Sequence, residues 1–164
     1  MHVVIYSDGS ARGNPDGPGG YGAVIQYTDS KGILHEKELS EGFNPTSNNR
    51  MELLGAIAAL EALNRPCEVD LYSDSSYLVN AFQKGWLASW QKNGWKTASR
   101  ARVKNQDLWK RMLEVSGRHH ITWHWVKGHA GQEMNERCDQ LATAAADQMY
   151  DVKKPNVENT EERV

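Results

Sequence analysis

The chain has 164 residues and a mass of 18.4 kDa, with 39% hydrophobic and 24% charged residues and a formal net charge of −2. These values are typical of one globular domain and exclude a disordered chain, while the short apolar runs exclude a transmembrane span. Two cysteines, Cys67 and Cys138, are too few for a disulfide framework or a zinc cage, and the N-terminus lacks the features of a signal peptide. We therefore expect a reduced, cytoplasmic protein.

The hydrophobic pattern predicts the secondary structure in chain order. Apolar runs and alternation indicate strands, and apolar residues at helical spacing behind N-cap candidates indicate helices. The predicted elements are strands at 3–6, 21–27 and 33–39, a helix between the N-cap candidates at 44–47 and the stop at 64–66, a strand at 69–73, helices at 76–83 and 105–115, a strand at 121–126 and a helix at 133–149. This β-β-β-α-β-α-α-β-α order predicts an α/β fold, in which helices pack against a mixed sheet.

The end of the sequence differs in composition from the rest. Residues 151–164 contain three valines as their only apolar content. A segment with so little to bury is expected to form a flexible C-terminal tail, so the predicted domain covers residues 1–150.

Charge is unevenly distributed along the chain. No acidic residue lies between Ser75 and Gln106, whereas basic residues and tryptophans are concentrated there. They are Lys84, Lys92, Lys96, Arg100, Arg102 and Lys104, with Trp86, Trp90 and Trp95. The net charge argues against a protein that simply coats nucleic acid, but this distribution predicts a molecule with one basic side.

Four acidic residues are candidates for a metal site. Asp8 and Asp74 each follow a predicted strand within the same Tyr-Ser-Asp-x-Ser pattern, and strand ends are where such sheets place ligand groups. Glu52 and Asp139 lie on predicted helices beside small residues, which suggests that both point inward. Grouped carboxylates need a hard divalent cation, and oxygen ligands favour Mg²⁺ or Mn²⁺ over zinc. The spacing alone is equally compatible with turn-capping aspartates and solvated helix carboxylates.

Several motifs, in the same order, resemble type 1 ribonuclease H of the bacterial kind. They are Tyr6-Ser7-Asp8-Gly9-Ser10, Gly13-Asn14-Pro15 with Gly19-Gly20-Tyr21-Gly22, Asn48-Asn49-Arg50-Met51-Glu52-Leu53, Ser73-Asp74-Ser75, Trp123-His124-Trp125-Val126-Lys127-Gly128-His129-Ala130-Gly131 and Asn135-Glu136-Arg137-Cys138-Asp139. The resemblance covers about residues 3–148, and the shared order of the motifs argues against chance similarity. It implies a ribonuclease H-like fold with a five-stranded mixed sheet.

The resemblance also implies an activity. Asp8, Glu52, Asp74 and Asp139 would bind two Mg²⁺ ions, with Mn²⁺ as a substitute, and cleave the RNA strand of an RNA/DNA hybrid. The products would carry 5′-phosphate and 3′-hydroxyl ends. Asp8 is expected to bridge the ions because it ends the central strand. His129, in a glycine-flanked loop, is implied to assist proton transfer or product departure.

Substrate contacts are implied near the acidic site. Asn14, Asn48 and Asn49 match family residues that contact the hybrid near its minor groove, although capping and turn formation would explain asparagines there equally well. Arg50, together with Asn48 at a helix N-terminus, is a candidate phosphate seat.

The basic window resembles the family's basic protrusion, which grips the DNA strand. Trp86, Lys92 and Lys96 are the contacts that this similarity implies, while Trp90 is expected to pack the small helix of this window onto the body of the protein. Gln91 and Asn93 stand among the lysines, so the window is less densely basic than in the family. This departure puts hybrid affinity in question, but not catalysis.

Two other classes of protein are alternatives to a ribonuclease H. Integrases and transposases share the fold but carry three acidic residues and larger flanking domains, which the fourth carboxylate and the His129 loop argue against. A non-catalytic hybrid-binding module would gain nothing from four carboxylates placed near phosphates. We therefore expect a monomeric endoribonuclease whose partner is the hybrid, with no membrane and no obligate protein partner.

Overall fold

The computed structural model describes residues 1–13, 16–127 and 132–158, which form a sheet and its flanking helices. The strands are β1 (His2–Ala11), β2 (Gly17–Thr28), β3 (Leu34–Thr46), β4 (Glu68–Ser73) and β5 (His120–Trp125). The helices are α1 (Asn48–Glu61), α2 (Ser76–Gln83), α3 (Trp86–Lys92), α4 (Gln106–Ser116) and α5 (Glu133–Asp147). The predicted α/β class and five-stranded mixed sheet are confirmed. None of the helices described is long and apolar enough to cross a membrane.

One more helix is present than the predicted element order contains. Helix α3 begins directly after α2, and its N-cap is Gly85 with φ 73°, a left-handed conformation that glycine adopts without steric cost. Leu87 is buried, and the Trp90 ring meets that of Trp109 edge-on at 5.5 Å between centroids. Seven residues are too few to show a clear hydrophobic period, so the sequence pattern separated the two helices only by the glycine.

The sheet order is β3-β2-β1-β4-β5, with β1 in the centre. Strands β1, β2 and β3 pair antiparallel, whereas β4 pairs parallel with both β1 and β5. Strand β1 is longer than its apolar run because residues 8–11 continue to pair with β2 after the pairing with β4 has ended at Ser7. The carboxyl ends of β1 and β4 therefore lie side by side.

Helices cover both faces of the sheet. On one face, Ile5 and Leu71 belong to a core cluster that includes Ile57 of α1 and Met112 of α4, all with no exposed surface. On the other face, α5 packs closely against β2. A Cβ atom added at Gly20 would lie only 2.7 Å from that of Ala145, so only glycine allows this approach.

Helix α1 begins at the edge where β1 and β4 end. Its N-cap is Ser47, as the sequence predicts, and the Ser47 side chain accepts a hydrogen bond from the Arg50 backbone at 3.2 Å. Most of the helix is buried against the sheet and α4, and this packing carries Glu52 into the protein.

The expected flexible tail is wrong for residues 151–158. Lys154 and Asn44 exchange both backbone hydrogen bonds, at 2.7 and 2.9 Å, and the Asn156 backbone donates to the Pro45 carbonyl at 2.9 Å. These contacts are polar, so the lack of apolar residues did not reveal them. Residues 159–164 lie outside the described part of the chain. The folded domain thus continues past the predicted boundary at residue 150.

Candidate active site

Three carboxylates meet where β1 and β4 end. Oxygen atoms of Asp8, Glu52 and Asp74 all lie within 4.8 Å of one another. Asp8 is on β1 just beyond its pairing with β4, Asp74 directly follows β4, and Glu52 comes from the second turn of α1. Parallel pairing of the two strands explains why aspartates 66 positions apart in sequence become neighbours. Asp139, on α5, lines the same cleft.

A glycine brings β1 and α1 together. The Gly9 backbone N–H donates to Asp8 Oδ1 at 2.9 Å and to Glu52 Oε1 at 3.0 Å. A Cβ atom on Gly9 would lie 2.9 Å from Met51 Cβ, so a larger residue would separate the strand from the helix. Gly9 thereby holds the two carboxyl groups in a shared position.

Burial strongly perturbs this acidic group. It raises the pKa of Asp8 to about 7, with contributions in the same direction from the charges of Asp74 and Asp139, against hydrogen bonds from Glu52 and Gly9 that lower it. The pKa of Glu52 is raised well above its usual value by burial and then by the Asp8 charge and hydrogen bond. In the absence of a cation, the Asp8–Glu52 pair therefore favours a shared proton.

The donor set fits a hard divalent cation. Within residues 1–13, 16–127 and 132–158, none of the four carboxylates forms an ion pair with Lys or Arg, and Glu52 Oε2 is buried without a hydrogen-bond partner. A buried oxygen without a partner beside other carboxylates is the situation that an oxygen-ligated cation relieves. The cluster can accordingly hold a metal ion.

The predicted hybrid contacts near the carboxylates share an open, polar cleft with them. This cleft has a volume of about 440 Å³. The residues that line it are Asp8, Gly9, Ser10, Asn48, Asn49, Glu52, Asp74, Ser75, Ser76, Tyr77 and Asp139. Asn48 and Asn49 stand at the start of α1, next to the acidic group. Asn14 and His129 lie outside the described residues.

The prediction that Arg50 contacts a phosphate is wrong. Its side chain is only 4% exposed, and its terminal nitrogens form a bidentate pair with Asp107 at 2.9 and 2.7 Å. The Arg50 Nε–H donates to both the carbonyl and the side-chain oxygen of Asn156, each at 2.9 Å. The guanidinium is therefore engaged inside the protein, and a phosphate has no access to it. This burial could not be predicted because both partners, Asp107 and Asn156, are distant from Arg50 along the chain.

The predicted DNA-strand contacts lie on a separate surface. Trp86 is 38% exposed, with Lys84 Nζ 5.9 Å from its ring centroid, and Lys92 and Lys96 are exposed. A cleft of about 320 Å³ separates α3 from the loop that follows it. Its lining residues are Trp86, Ser89, Trp90, Asn93, Lys96 and Ala98. As expected, Trp90 is partly buried and packs onto the core.

Trp125 lies beside the site but is not among the predicted site residues. It is 52% exposed and stands at the end of β5, opposite Ser73 in the β4–β5 register. Its indole N–H donates to the backbone carbonyl of Asp74 at 3.1 Å. The signal available in the sequence was its position near the end of the strand predicted at 121–126.

Comparison with known proteins gives consistent matches across this fold and cleft. A family model described as RNase H matches residues 1–147. A curated protein named Ribonuclease H from Lachnoclostridium phytofermentans is 58% identical over 147 residues, covering 90% of this chain and 93% of that protein. The crystal structure of LC9-RNase H1, a type 1 RNase H with the type 2 active-site motif, matches with a TM-score of 0.79 and 30% identity, over 99% of this chain and 80% of that one. LC11-RNase H1 in complex with an RNA/DNA hybrid matches with a TM-score of 0.59 and 27% identity, over 89% of this chain and 97% of that one.

Proposed function

Since this chain belongs to the ribonuclease H family and is a nuclease of that class, we propose that it is an endoribonuclease that hydrolyses the RNA strand of RNA/DNA hybrids with two bound Mg²⁺ ions. The observation that carries this proposal is the group formed by the buried Asp8 and Glu52 with Asp74, whose oxygen atoms lie within 4.8 Å of one another, with Asp139 on the same cleft. Mn²⁺, which takes the same oxygen ligands, is proposed as a substitute.

The four carboxylates would hold the ions, with Asp8 between them. When bound, the ions would lower the pKa of a water molecule and neutralise charge on the departing 3′-oxygen. In the overall reaction, a water oxygen forms the new bond to phosphorus as the bond to the 3′-oxygen breaks, which leaves a 5′-phosphate and a 3′-hydroxyl. The chain's own contribution is to leave these carboxylates available to the ions, since among residues 1–13, 16–127 and 132–158 no Lys or Arg pairs with them. We assign His129 to proton transfer or product departure.

Recognition of the RNA strand is assigned to neutral groups at the cleft. Asn48 and Asn49 line it beside Glu52, and amides can both donate to and accept from a 2′-hydroxyl. Asn14 is proposed as a further contact from the loop after β1. LC11-RNase H1, a similar structure, is a complex with an RNA/DNA hybrid, which supports this class of substrate.

Recognition of the DNA strand is assigned to α3 and the loop behind it. Lys92 and Lys96 are exposed, and Trp86 is 38% exposed and lines the cleft of about 320 Å³. Lysines attract phosphates, and an exposed indole offers a surface on which a sugar or base can stack.

We further propose a monomer that acts in the cytoplasm. The four carboxylates to which the ions are assigned lie on one cleft of this chain, so the proposed site needs no residue from a second subunit. Cys67 and Cys138 are both buried free thiols, which is compatible with a reducing compartment.

A cleavage assay tests the proposal directly. Labelled RNA/DNA hybrid, duplex RNA and duplex DNA are each incubated with the protein, with EDTA, Mg²⁺ or Mn²⁺. We expect cleavage of the hybrid alone, in its RNA strand, only with a divalent ion, and with 5′-phosphate products. Cleavage of duplex DNA at a similar rate, or of the hybrid in EDTA, would overturn it.

A further inference from the structure

Residues 151–158, here called the C-terminal strap, connect three parts of the protein. After α5 the strap pairs with the end of β3 through Lys154 and Asn44, and the Lys154 ammonium group lies 2.8 Å from Glu41. It then passes Pro45, next to the start of α1, through the Asn156 backbone. Its last described residue is Glu158, which reaches the loop that precedes α4.

Asn156, in the middle of the strap, helps to bury the charge of Arg50 on α1, the helix that carries Glu52. Arg50 lies on α1 two residues before Glu52, and its buried guanidinium is shared between Asp107 of α4 and Asn156 of the strap. Asn105 Oδ1 accepts a further hydrogen bond from Arg50 at 3.3 Å. The strap, α1 and the start of α4 are therefore joined through one guanidinium.

The end of the strap engages two groups of the basic loop, defined here as residues 93–105. Glu158 forms an ion pair with Arg102 at 2.5 Å, and its second oxygen accepts from the Asn105 backbone at 3.2 Å. The Glu158 side chain is only 11% exposed, so solvent does little to screen this contact. Burial alone would raise the pKa of Glu158, but hydrogen bonds from Arg102 and from the Asn105 and Gln106 backbones, together with the Arg102 charge, outweigh it, so the pKa is lowered and the carboxylate is held in its charged form.

The basic loop needs such support. Trp95 and Arg100 have φ values of 64° and 65°, a left-handed conformation that is unfavourable for residues with such large side chains. Its internal hydrogen bonds include Thr97 N–H to the Ala101 carbonyl at 2.8 Å and Val103 N–H to the Trp95 carbonyl at 3.0 Å. Short loops with these conformations persist only where the surroundings hold them in place.

We propose that Glu158 is a positioning residue for nucleic-acid binding: by holding Arg102 and the Asn105 backbone, it fixes the basic loop and its Lys96 against the start of α1. This inference rests on the proposed function, because it assigns the loop to the DNA strand of the hybrid. Two effects of Glu158 have opposite signs. As a bare carboxylate near phosphates it would weaken binding, whereas as a support for the loop it strengthens binding. Whether the KM for the hybrid rises or falls when the Glu158 charge is removed therefore identifies its role.

The test compares Glu158→Gln with Glu61→Gln. Both substitutions change the net charge by the same amount and break a carboxylate–arginine pair, but Glu61 pairs with Arg111 on the surface between α1 and α4. For Glu158→Gln we expect the hybrid KM to rise about fivefold to tenfold with kcat within twofold of the parent. We also expect faster amide exchange at Thr97 and Val103. Glu61→Gln should change neither quantity.

A double-mutant cycle shows whether Glu158 acts through its partner. If it does, Glu158→Gln added to Arg102→Gln raises KM by clearly less than it does in the parent protein. Glu158→Asp, which keeps the charge on a shorter side chain, should have a KM between those of the parent and Glu158→Gln. It replaces Glu158→Gln in the comparison if that variant does not fold. An unchanged or lower KM in a folded variant, or unchanged amide exchange, would overturn the inference. Amide exchange does not depend on cleavage, so failure of the parent to cut the hybrid would reject the proposed function separately.

Discussion

Asp8 shows how one residue can serve function at the expense of stability. It is 3% exposed, and burial raises its pKa to about 7, far from the usual value of 3.8. The folded state thus holds this proton to higher pH than the unfolded state. The free energy of unfolding of the metal-free protein must then fall as pH rises from about 4 to about 7, and it stays low above that range. A bound cation would offset this cost by balancing the charge.

Replacing Asp8 by Asn tests both the proposed role of Asp8 in cleavage and its cost to stability. Asp8→Asn should reduce the cleavage rate by about 10³-fold or more, because it removes the ligand proposed to lie between the ions. At pH 8 in EDTA it should raise Tm by about 3 °C or more, since a gain of 1 kcal/mol shifts Tm by about 2–4 °C in a chain of this size. Calorimetry with and without Mg²⁺, beside the hybrid assay, measures both effects. Near-parent activity would exclude Asp8 from the metal site, and a lower Tm in EDTA would contradict the electrostatic argument.

His129 is the second residue on which the proposed chemistry depends. Removing a group that transfers a proton slows a reaction without abolishing it, so His129→Ala should lower kcat by about 10²- to 10⁴-fold while KM changes little. The comparison variant is His120→Ala on β5, whose ring lies at the far end of that strand from the carboxylates. Equal kcat values for His129→Ala and the parent would remove this histidine from the mechanism.

At the scale of elements, acidic and basic groups are carried by different parts of the fold. The carboxylates of the cleft stand on β1, α1, the end of β4 and α5, whereas the exposed residues Lys92, Lys96 and Arg100 stand on α3 and the basic loop. Among the described residues, Lys92, Lys96 and Arg100 have no ion-pair partner. Their charge is therefore available for phosphates, and binding can be altered without touching the site of cleavage.

The triple substitution Lys92→Ala, Lys96→Ala and Arg100→Ala makes this separation measurable. Each lost phosphate contact flattens the dependence of log affinity on log salt by roughly 0.9. We expect KM at about 0.1 M salt to rise about tenfold and the salt slope to fall by about 1 to 3, with kcat nearly unchanged. A salt series on one defined hybrid gives all three quantities, and circular dichroism checks the fold. If kcat fell while the salt slope stayed the same, this surface would be part of the active site and not a contact for the DNA strand.

At the scale of the whole molecule, the strap closes the structure by joining its last helix to its first. Asn156 and Glu158 supply acceptors to Arg50, Arg102 and the Asn105 backbone, and the Arg50 guanidinium is buried. Removing one partner of a buried charge leaves that charge partly unsatisfied, which is among the more destabilising changes that a protein can suffer.

Truncation measures the contribution of the strap to stability. A chain that ends at residue 150 should lose about 2–4 kcal/mol of unfolding free energy, from the lost partners of Arg50 and the lost pairing with β3. A chain that ends at Glu158 retains every strap contact described above and should unfold close to the full-length chain. Urea denaturation of the three chains provides the comparison. Equal midpoints for the chain ending at 150 and the full chain would restore the original expectation of a loose tail.

Much of the fold could be predicted because its signals are local. The apolar run at residues 3–6, the Ser47 cap and the helical spacing in α1 each involve neighbours in sequence, and the structure contains the corresponding elements. Local signals failed where packing decides the outcome. Residues 8–11 pair with β2 although they are not an apolar run, and Arg50 is buried because its guanidinium pairs with Asp107.

The sequence by itself determined the α/β class, the family resemblance and the acidic residues to consider, because strand ends and ordered motifs can be recognised along a single chain. Only the tertiary structure decided that Asp8, Glu52 and Asp74 converge, since parallel pairing of β1 with β4 and the glycine contact with α1 bring them within reach. Only it could show that Arg50 is buried and that the strap is docked. Arg50 and Asn156 are 106 positions apart, and a hydrogen bond between such distant residues leaves no periodic or compositional trace in the sequence.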